Sequence, residues 1–371
     1  NGPVGKWTHY EKESGSTHLK EAICNKYLSE HGLKIDKKNI LITHGGMNAI
    51  YISLKSILDF GDEVIIFDPA YIAYYPICNY LSYGVTVHRI HLHDNNNYEI
   101  DYDELKKVIN SKTKAIILTS PYNPCGKVYS YKSIKELYNF CKDNNIFLIH
   151  DENHEKEIYD GNKHYPAMIF DGDKSITILL NSMSRLGMGG WRIGWLIANE
   201  RIIRAANSVN AYVNMTCNTF VQECAAYALE HYSELNYDKI FDGYARKRDK
   251  LYGLLNSIKG ITCFKPEGTC YLFPNVSKFY SLHRDKILNE IYKSGWFNDL
   301  EEGSKEQERQ YIEKYKSYAV YIFILIKYRV GVLPGCCYGP YSDDYIRFSF
   351  SVKVEAVEEA IKRLNPLLNL G

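Results

Sequence analysis

From Leu19 to about Asn199, apolar residues recur in two alternating rhythms: helical spacing, and short runs of β-branched residues. Leu19 to His31 places Leu19, Ile23, Tyr27 and Leu28 on one face, which predicts an amphipathic helix. Ile40 to Thr43 predicts a short strand, after which Gly45-Gly46 opens a helix running through Leu58. Further strands are predicted at Glu63–Phe67, Thr86–Ile90, Ala115–Thr119, Ile146–His150 and Ile176–Leu180. These runs are continuously rich in Val, Ile and Leu, the pattern of parallel strands covered on both faces. Helices such as Ser133 to Asn144 supply the crossovers, so the pattern predicts a doubly wound, mostly parallel α/β domain.

Beyond Glu200 the rhythm is helical to about Asn256, with a break near Asn214–Asn218. Strands at Tyr271–Pro274 and Tyr345–Phe350 and a final helix at Val354–Leu367 then predict a smaller α+β domain. The expected division is a large domain over 19–235, with 1–18 and 236–371 forming an N-terminal arm and the small domain. Within the latter, 281–316 is strongly charged, including Glu301-Glu302-Gly303-Ser304-Lys305-Glu306. It is expected to be a solvated helical insertion or loop without chemistry.

Composition narrows the class. The chain has 371 residues, 45% hydrophobic and 24% charged, values of a globular protein large enough for a sizeable core. A formal net charge of +1 argues against a dedicated nucleic-acid or membrane-surface binder. No apolar run reaches the ~20 residues that span a bilayer; the nearest, Tyr318 to Val330, is interrupted by Lys327 and Arg329. No signal peptide opens the sequence, so a cytoplasmic location is expected. It starts at Asn1-Gly2-Pro3 without a methionine, and a native segment is expected ahead of it. The ten cysteines are scattered, with one adjacent pair at Cys336-Cys337. Neither C-x-x-C nor zinc-ligand spacing occurs, so reduced, buried thiols and no metal are expected. The 33 tyrosines carry no functional reading.

Four segments carry candidate chemistry. Thr43-His44-Gly45-Gly46-Met47 follows a strand and opens a helix, an arrangement that cradles phosphate or simply makes a tight turn. Ser120-Pro121-Tyr122-Asn123-Pro124-Cys125-Gly126 fixes a loop at a strand's carboxyl end, where α/β ligands bind. Asn123 there is either a ring-binding amide or part of a plain turn. Asp151-Glu152-Asn153-His154 follows the apolar run Ile146–Ile149. A carboxylate buried there needs a cation, which a protonated pyridine nitrogen would provide; otherwise Asp151 is an exposed loop cap. The fourth is Asn181-Ser182-Met183-Ser184-Arg185-Leu186-Gly187, continuing to Arg192 and Trp195.

Taken in order, these segments resemble the class I/II aminotransferases, of the aspartate aminotransferase-like fold type I. Leu19-Lys20-Glu21-Ala22-Ile23, Gly61-Asp62-Glu63-Val64, Tyr159-Asp160-Gly161, Pro266-Glu267-Gly268 and Tyr345-Ile346-Arg347-Phe348-Ser349 extend the resemblance over nearly the whole chain except 281–316. It implies pyridoxal 5′-phosphate (PLP) as cofactor, amino acids and 2-oxo acids as substrates, and a homodimer.

The resemblance also implies roles. Tyr71 would stack on the pyridine ring, Asn123 and His154 would face its phenolic oxygen, and Asp151 would pair with its nitrogen. Gly45, Gly46, Met47, Ser182, Ser184 and Arg192 would lie around the phosphate, which a guanidinium binds through paired hydrogen bonds. Tyr10 would reach the phosphate of a neighbouring subunit, and Arg347 would clamp the substrate carboxylate. One departure is central. The family carries Ser-x-Ser-Lys and then, at a fixed spacing, Arg; here Arg185 follows Ser184 directly and Arg192 falls one residue short. Either a one-residue deletion removed the Schiff-base lysine, or that lysine belongs between Ser184 and Arg185. A lysine joined to PLP is a non-standard residue that one-letter notation can omit. Lys127 and Lys174 are poorly placed to replace it.

The expected activity is amino-group transfer between an amino acid and a 2-oxo acid. His154, where the family commonly has tyrosine, keeps open a PLP-dependent lyase that eliminates or cyclises at the β or γ carbon. Tyr122 and Cys125, in place of a common asparagine and threonine, bear on the same choice. A true deletion after Ser184 would instead leave a catalytically inactive binding protein.

Overall fold

The computed structural model describes residues 8–81 and 84–370. Seven strands form the main sheet: β1 (Ile40–Thr43), β2 (Glu63–Asp68), β3 (Thr86–His91), β4 (Thr113–Thr119), β5 (Phe147–Asp151), β6 (Thr177–Ser182) and β7 (Gly194–Ile197). Their order is β1-β7-β6-β5-β4-β2-β3. Neighbours pair in parallel except β7, which runs antiparallel to both β1 and β6.

Alternation along each strand feeds two helical layers. Val64, Ile66, Ala115, Ile117, Ile149 and Leu180 join one core, which the helix Gly46–Ile57 completes. Ile65, Phe67, Ile116, Leu118 and Leu148 enter another, closed by Leu137 and Cys141 of the helix Tyr131–Asp143. Because both faces are covered, the strands carry apolar residues at successive positions. The doubly wound α/β architecture predicted from that pattern is the one observed.

The small antiparallel sheet has the order β8-β10-β9, from β8 (Tyr271–Leu272), β9 (Leu333–Pro334) and β10 (Ile346–Ser349). Its core includes Leu255, Phe279, Ile322, Phe323 and Phe350. The charged segment 281–316 is helical, as expected, over much of its length, in parts of Ser277–Tyr292 and Glu302–Lys314. It is not merely a solvated insertion, because Ile287, Ile291, Phe297 and Ile312 are buried in that core. Charge density alone conceals such anchors.

Local chemistry explains the element ends. Ser16 caps the helix Thr17–His31 through the Leu19 N–H, and Gly32 closes it in the left-handed conformation. The expected break near 214–218 is present, and Asn218 caps the next helix, Thr219–Glu230. The final helix stops at Leu364, before its expected end at Leu367, and continues as a 3-10 turn. Pro366 has no N–H with which to extend it.

β7 was not expected from the sequence. It is four residues long, follows a glycine-rich loop and begins with Gly194. A Cβ on Gly194 would lie 2.6 Å from the Gly45 carbonyl carbon and 2.9 Å from the Asn181 oxygen. Glycine therefore lets the loops after β1 and β6 converge.

Within β5, His150 is fully buried, and its Nδ1 accepts the Ala167 N–H at 3.1 Å. Burial pushes its pKa down to about 3. The unfolded imidazole titrates near 6.5 and binds more protons across this interval, so folding stability is full above 6.5 and falls as pH drops toward 3. Thermal midpoints recorded from pH 7 to 4 are expected to decline, and His150→Asn, with no proton to take up, should make that decline shallower.

Candidate active site

The carboxyl ends of β1, β4, β5 and β6 meet in one cleft. Gly46, Met47, Ile50, Tyr71, Tyr74, Thr119, Asn123, Asp151, Asn153, His154, Ser182, Ser184, Arg185 and Arg192 line it. This is where open α/β sheets bind ligands.

Asp151, the last residue of β5, is 4% exposed and forms part of the cleft wall. Its Oδ1 accepts the backbone N–H of Asn153 at 3.0 Å and the side-chain amide of Asn153 at 2.7 Å. Its Oδ2 accepts the Tyr74 hydroxyl at 2.6 Å. These donors are all neutral. Burial and the Asp151 charge hold the Tyr74 phenol well above its usual range, so Tyr74 stays a donor. Asn153 also receives the Ser182 hydroxyl at 2.5 Å on its own Oδ1. One amide thus ties the acid at the end of β5 to the serine at the end of β6.

On the opposite side, Gly45 adopts φ 80° as the chain enters the helix Gly46–Ile57. A Cβ there would lie 2.6 Å from a guanidinium nitrogen of Arg192, so glycine lets Arg192 cross the turn. Arg192 itself sits at φ 53° and donates to the carbonyls of Gly189 and His44. Helix N-terminus, guanidinium and Ser182 together make an anion cradle.

Arg347 on β10 does not line the cleft; its Nη1 donates to Asn123 Oδ1 at 3.1 Å. Its guanidinium lies 4.0 Å from the Tyr271 ring centre, and its buried Nε has no partner. Tyr71 borders the cleft and packs edge-on against Tyr74. Met47 is half-exposed, and Tyr10 is 80% exposed outside the cleft. The structure therefore gathers Gly46, Met47, Tyr71, Asn123, Asp151, His154, Ser182, Ser184 and Arg192. Gly45 stands behind Arg192, Arg347 joins through Asn123, and Tyr10 stays apart. Tyr122 and Cys125 face away: both are buried in the sheet's core, and the Tyr122 hydroxyl donates to the Phe67 carbonyl.

Sequence reasoning missed Tyr74, Asn153, Thr119 and Ile50. Tyr74 stands three residues after Tyr71 and Asn153 two after Asp151, which were the available signals. Among the described residues no lysine lines the cleft. Lys127 pairs with Glu99 at 2.9 Å. Arg185 borders the cleft, and its guanidinium donates to the Tyr271 hydroxyl at 2.5 Å.

The sequence profile described as Aminotransferase class I and II matches residues 4–364. The aspartate aminotransferase of Pyrococcus horikoshii is 30% identical, over 98% of this chain and 83% of that protein. Aromatic-amino-acid aminotransferase 2 of Thermococcus litoralis is 30% identical, over 97% and 84%. The crystal structure of an aromatic aminotransferase from Pyrococcus horikoshii superimposes with a TM-score of 0.82 at 28% identity, over 99% of this chain and 89% of that one. The chain belongs to the class I and II aminotransferase family. It is accordingly an enzyme of the fold type I transferases, and its cofactor is PLP.

The cleft fits the non-covalent demands of that cofactor. A buried carboxylate held by neutral donors suits a cationic ring nitrogen, and the glycine turn beside Arg192 suits a phosphate. Pyridoxamine 5′-phosphate, which binds without a lysine, tests this directly. Removing one partner of a buried ion pair costs about 3–5 kcal/mol. Asp151→Asn is therefore expected to weaken its binding roughly 100-fold or more by calorimetric titration. An unchanged affinity would place the ring nitrogen elsewhere.

Proposed function

We propose that this cleft moves an amino group between an amino acid and a 2-oxo acid in a cytoplasmic homodimer, with residues 19–235 as the cofactor-binding unit. The observation that carries the reading is Asp151: a buried carboxylate with neutral donors on a cleft wall shared with the Gly46, Ser182 and Arg192 cradle. Relatives named aspartate and aromatic aminotransferases support the substrate class.

PLP, when bound, supplies a ring that accepts electrons from the substrate's α-carbon. The protein's own residues bind and orient. Asp151 holds the ring nitrogen protonated, Tyr71 covers the ring, and Asn123 and His154 face its oxygen. The backbone at Gly45, Gly46 and Met47, with Ser182, Ser184 and Arg192, holds the phosphate. Arg347, with an unpartnered Nε and one N–H already on Asn123, grips the substrate carboxylate. Tyr10 extends to the phosphate site of the second subunit. An apolar surface of Met188, Trp191, Phe220, Tyr227 and Leu235 next to Arg192 favours that assembly. No helix among the described residues is long and apolar enough to cross a membrane.

Transfer also requires a lysine joined to the cofactor, and we place it between Ser184 and Arg185. A second reading, favoured by the absence of any lysine along the cleft among the described residues, is a chain that holds PLP without acting covalently. Borohydride reduction followed by peptide mapping across Asn181–Arg192 decides. The expected result is a pyridoxyl-modified lysine after Ser184. A peptide reading Ser-Met-Ser-Arg without adduct would overturn transamination. A chain that releases ammonia or a thiol from amino acids without any 2-oxo acid would identify a lyase instead. Charge-assisted hydrogen bonds contribute about 1.5–3 kcal/mol. Arg347→Lys is therefore expected to raise KM for the amino acid about 10- to 100-fold while leaving pyridoxamine phosphate affinity unchanged.

A further inference from the structure

Sequence reasoning gave His154 a role without a partner. In the structure its Nδ1 lies 2.5 Å from Oε2 of Glu157, a residue to which no function has yet been assigned. Both residues are buried, at 3% and 2% exposure. The turn brings them together: the Glu157 N–H donates to the His154 carbonyl at 2.9 Å, and the Glu157 carbonyl accepts the Thr269 N–H at 2.8 Å. Both ends of the pair are therefore fixed by backbone.

The charges around the imidazole set its state. Arg185, Asp151 and Glu157 face it, and the Tyr271 phenol ring packs edge-on at 5.6 Å. Burial, then Arg185, push its pKa down, against the pull of Glu157, so the ring is neutral at neutral pH. A carboxylate oxygen accepts hydrogen bonds, so the ring nitrogen 2.5 Å from it carries the proton.

We propose that Glu157 is a positioning residue that keeps the His154 proton on Nδ1, leaving Nε2 as a hydrogen-bond acceptor facing the cleft. This rests on the reading of the cleft as a PLP site, and it sets the direction of one expected contact. A neutral imidazole in this tautomer cannot donate to a ring oxyanion; it favours the ligand whose ring oxygen keeps its proton and shares it with Nε2. No electrons move and no bond other than the hydrogen bond changes. Glu157 thereby biases the protonation state of the bound ring, a property a purely structural ion pair would not have.

The test uses the full chain labelled with 15N at histidine, dialysed free of cofactor and then titrated with pyridoxamine 5′-phosphate. His154→Asn identifies the signals. The expected spectrum at pH 7 shows a protonated Nδ1 and a bare Nε2, with Nε2 shifting when the ligand binds. Glu157→Gln, whose amide oxygen still accepts, should keep the tautomer. Glu157→Ala should give a tautomer mixture and bind the ligand about tenfold more weakly. A proton on Nε2 in the native chain, or an unchanged tautomer in Glu157→Ala, overturns the inference. If Glu157→Ala does not fold, a native chain that binds the ligand with no change at Nε2 still refutes the contact. Absence of any ligand binding to the native chain refutes the cofactor reading instead, and leaves the tautomer measurement standing.

Discussion

The structure turns on a carboxylate buried at the end of a central strand. Asp151 is removed from water and faces the cleft, where an unpartnered charge would be costly. The protein holds it with the Tyr74 hydroxyl and two donors from Asn153. Three neutral hydrogen bonds orient the carboxylate without neutralising it. A cation entering the cleft can therefore pair with it, which is the contact proposed for the PLP ring nitrogen.

The surrounding elements follow from that requirement. The parallel strands end together, so Asp151, Ser182 and the turn at Gly45 come to one place. β7 runs back between β1 and β6, and Gly194 removes the side chain that would hold their loops apart. Asn153 then links the acid to Ser182, so two groups proposed to meet opposite ends of the cofactor are oriented through a single side chain. The small sheet contributes Arg347 and Tyr271 from another core, meeting the cleft at Asn123 and Arg185.

Much of the fold was legible because a sheet covered on both faces leaves a plain signature. Ile146–Ile149 or Ala115–Thr119 can hardly be anything but central strands. The strand read poorly was β7, which is short, antiparallel and begins with a glycine, so its pattern carries no period. The charged 281–316 segment misled for a related reason: Ile287, Ile291 and Ile312 anchor it from within a polar sequence. Site residues with a motif around them were visible, while Tyr74 and Glu157 were not, because their chemistry comes from a partner rather than from a pattern.

The sequence by itself determined the class of protein. The glycine turn, the acid after β5 and the serine–arginine segment, in that order along the chain, resemble the class I/II aminotransferases, and that resemblance implies PLP and marks the place where a lysine is wanted. Only the tertiary structure decided which groups touch. Tyr74 meets Asp151 across 77 positions and Arg347 meets Asn123 across 224. Hydrogen bonds depend on tenths of an ångström and on direction, and such distances are set by how the sheets and helices pack. Local periodicity fixes each element's buried face; it does not fix which distant side chain that face will find.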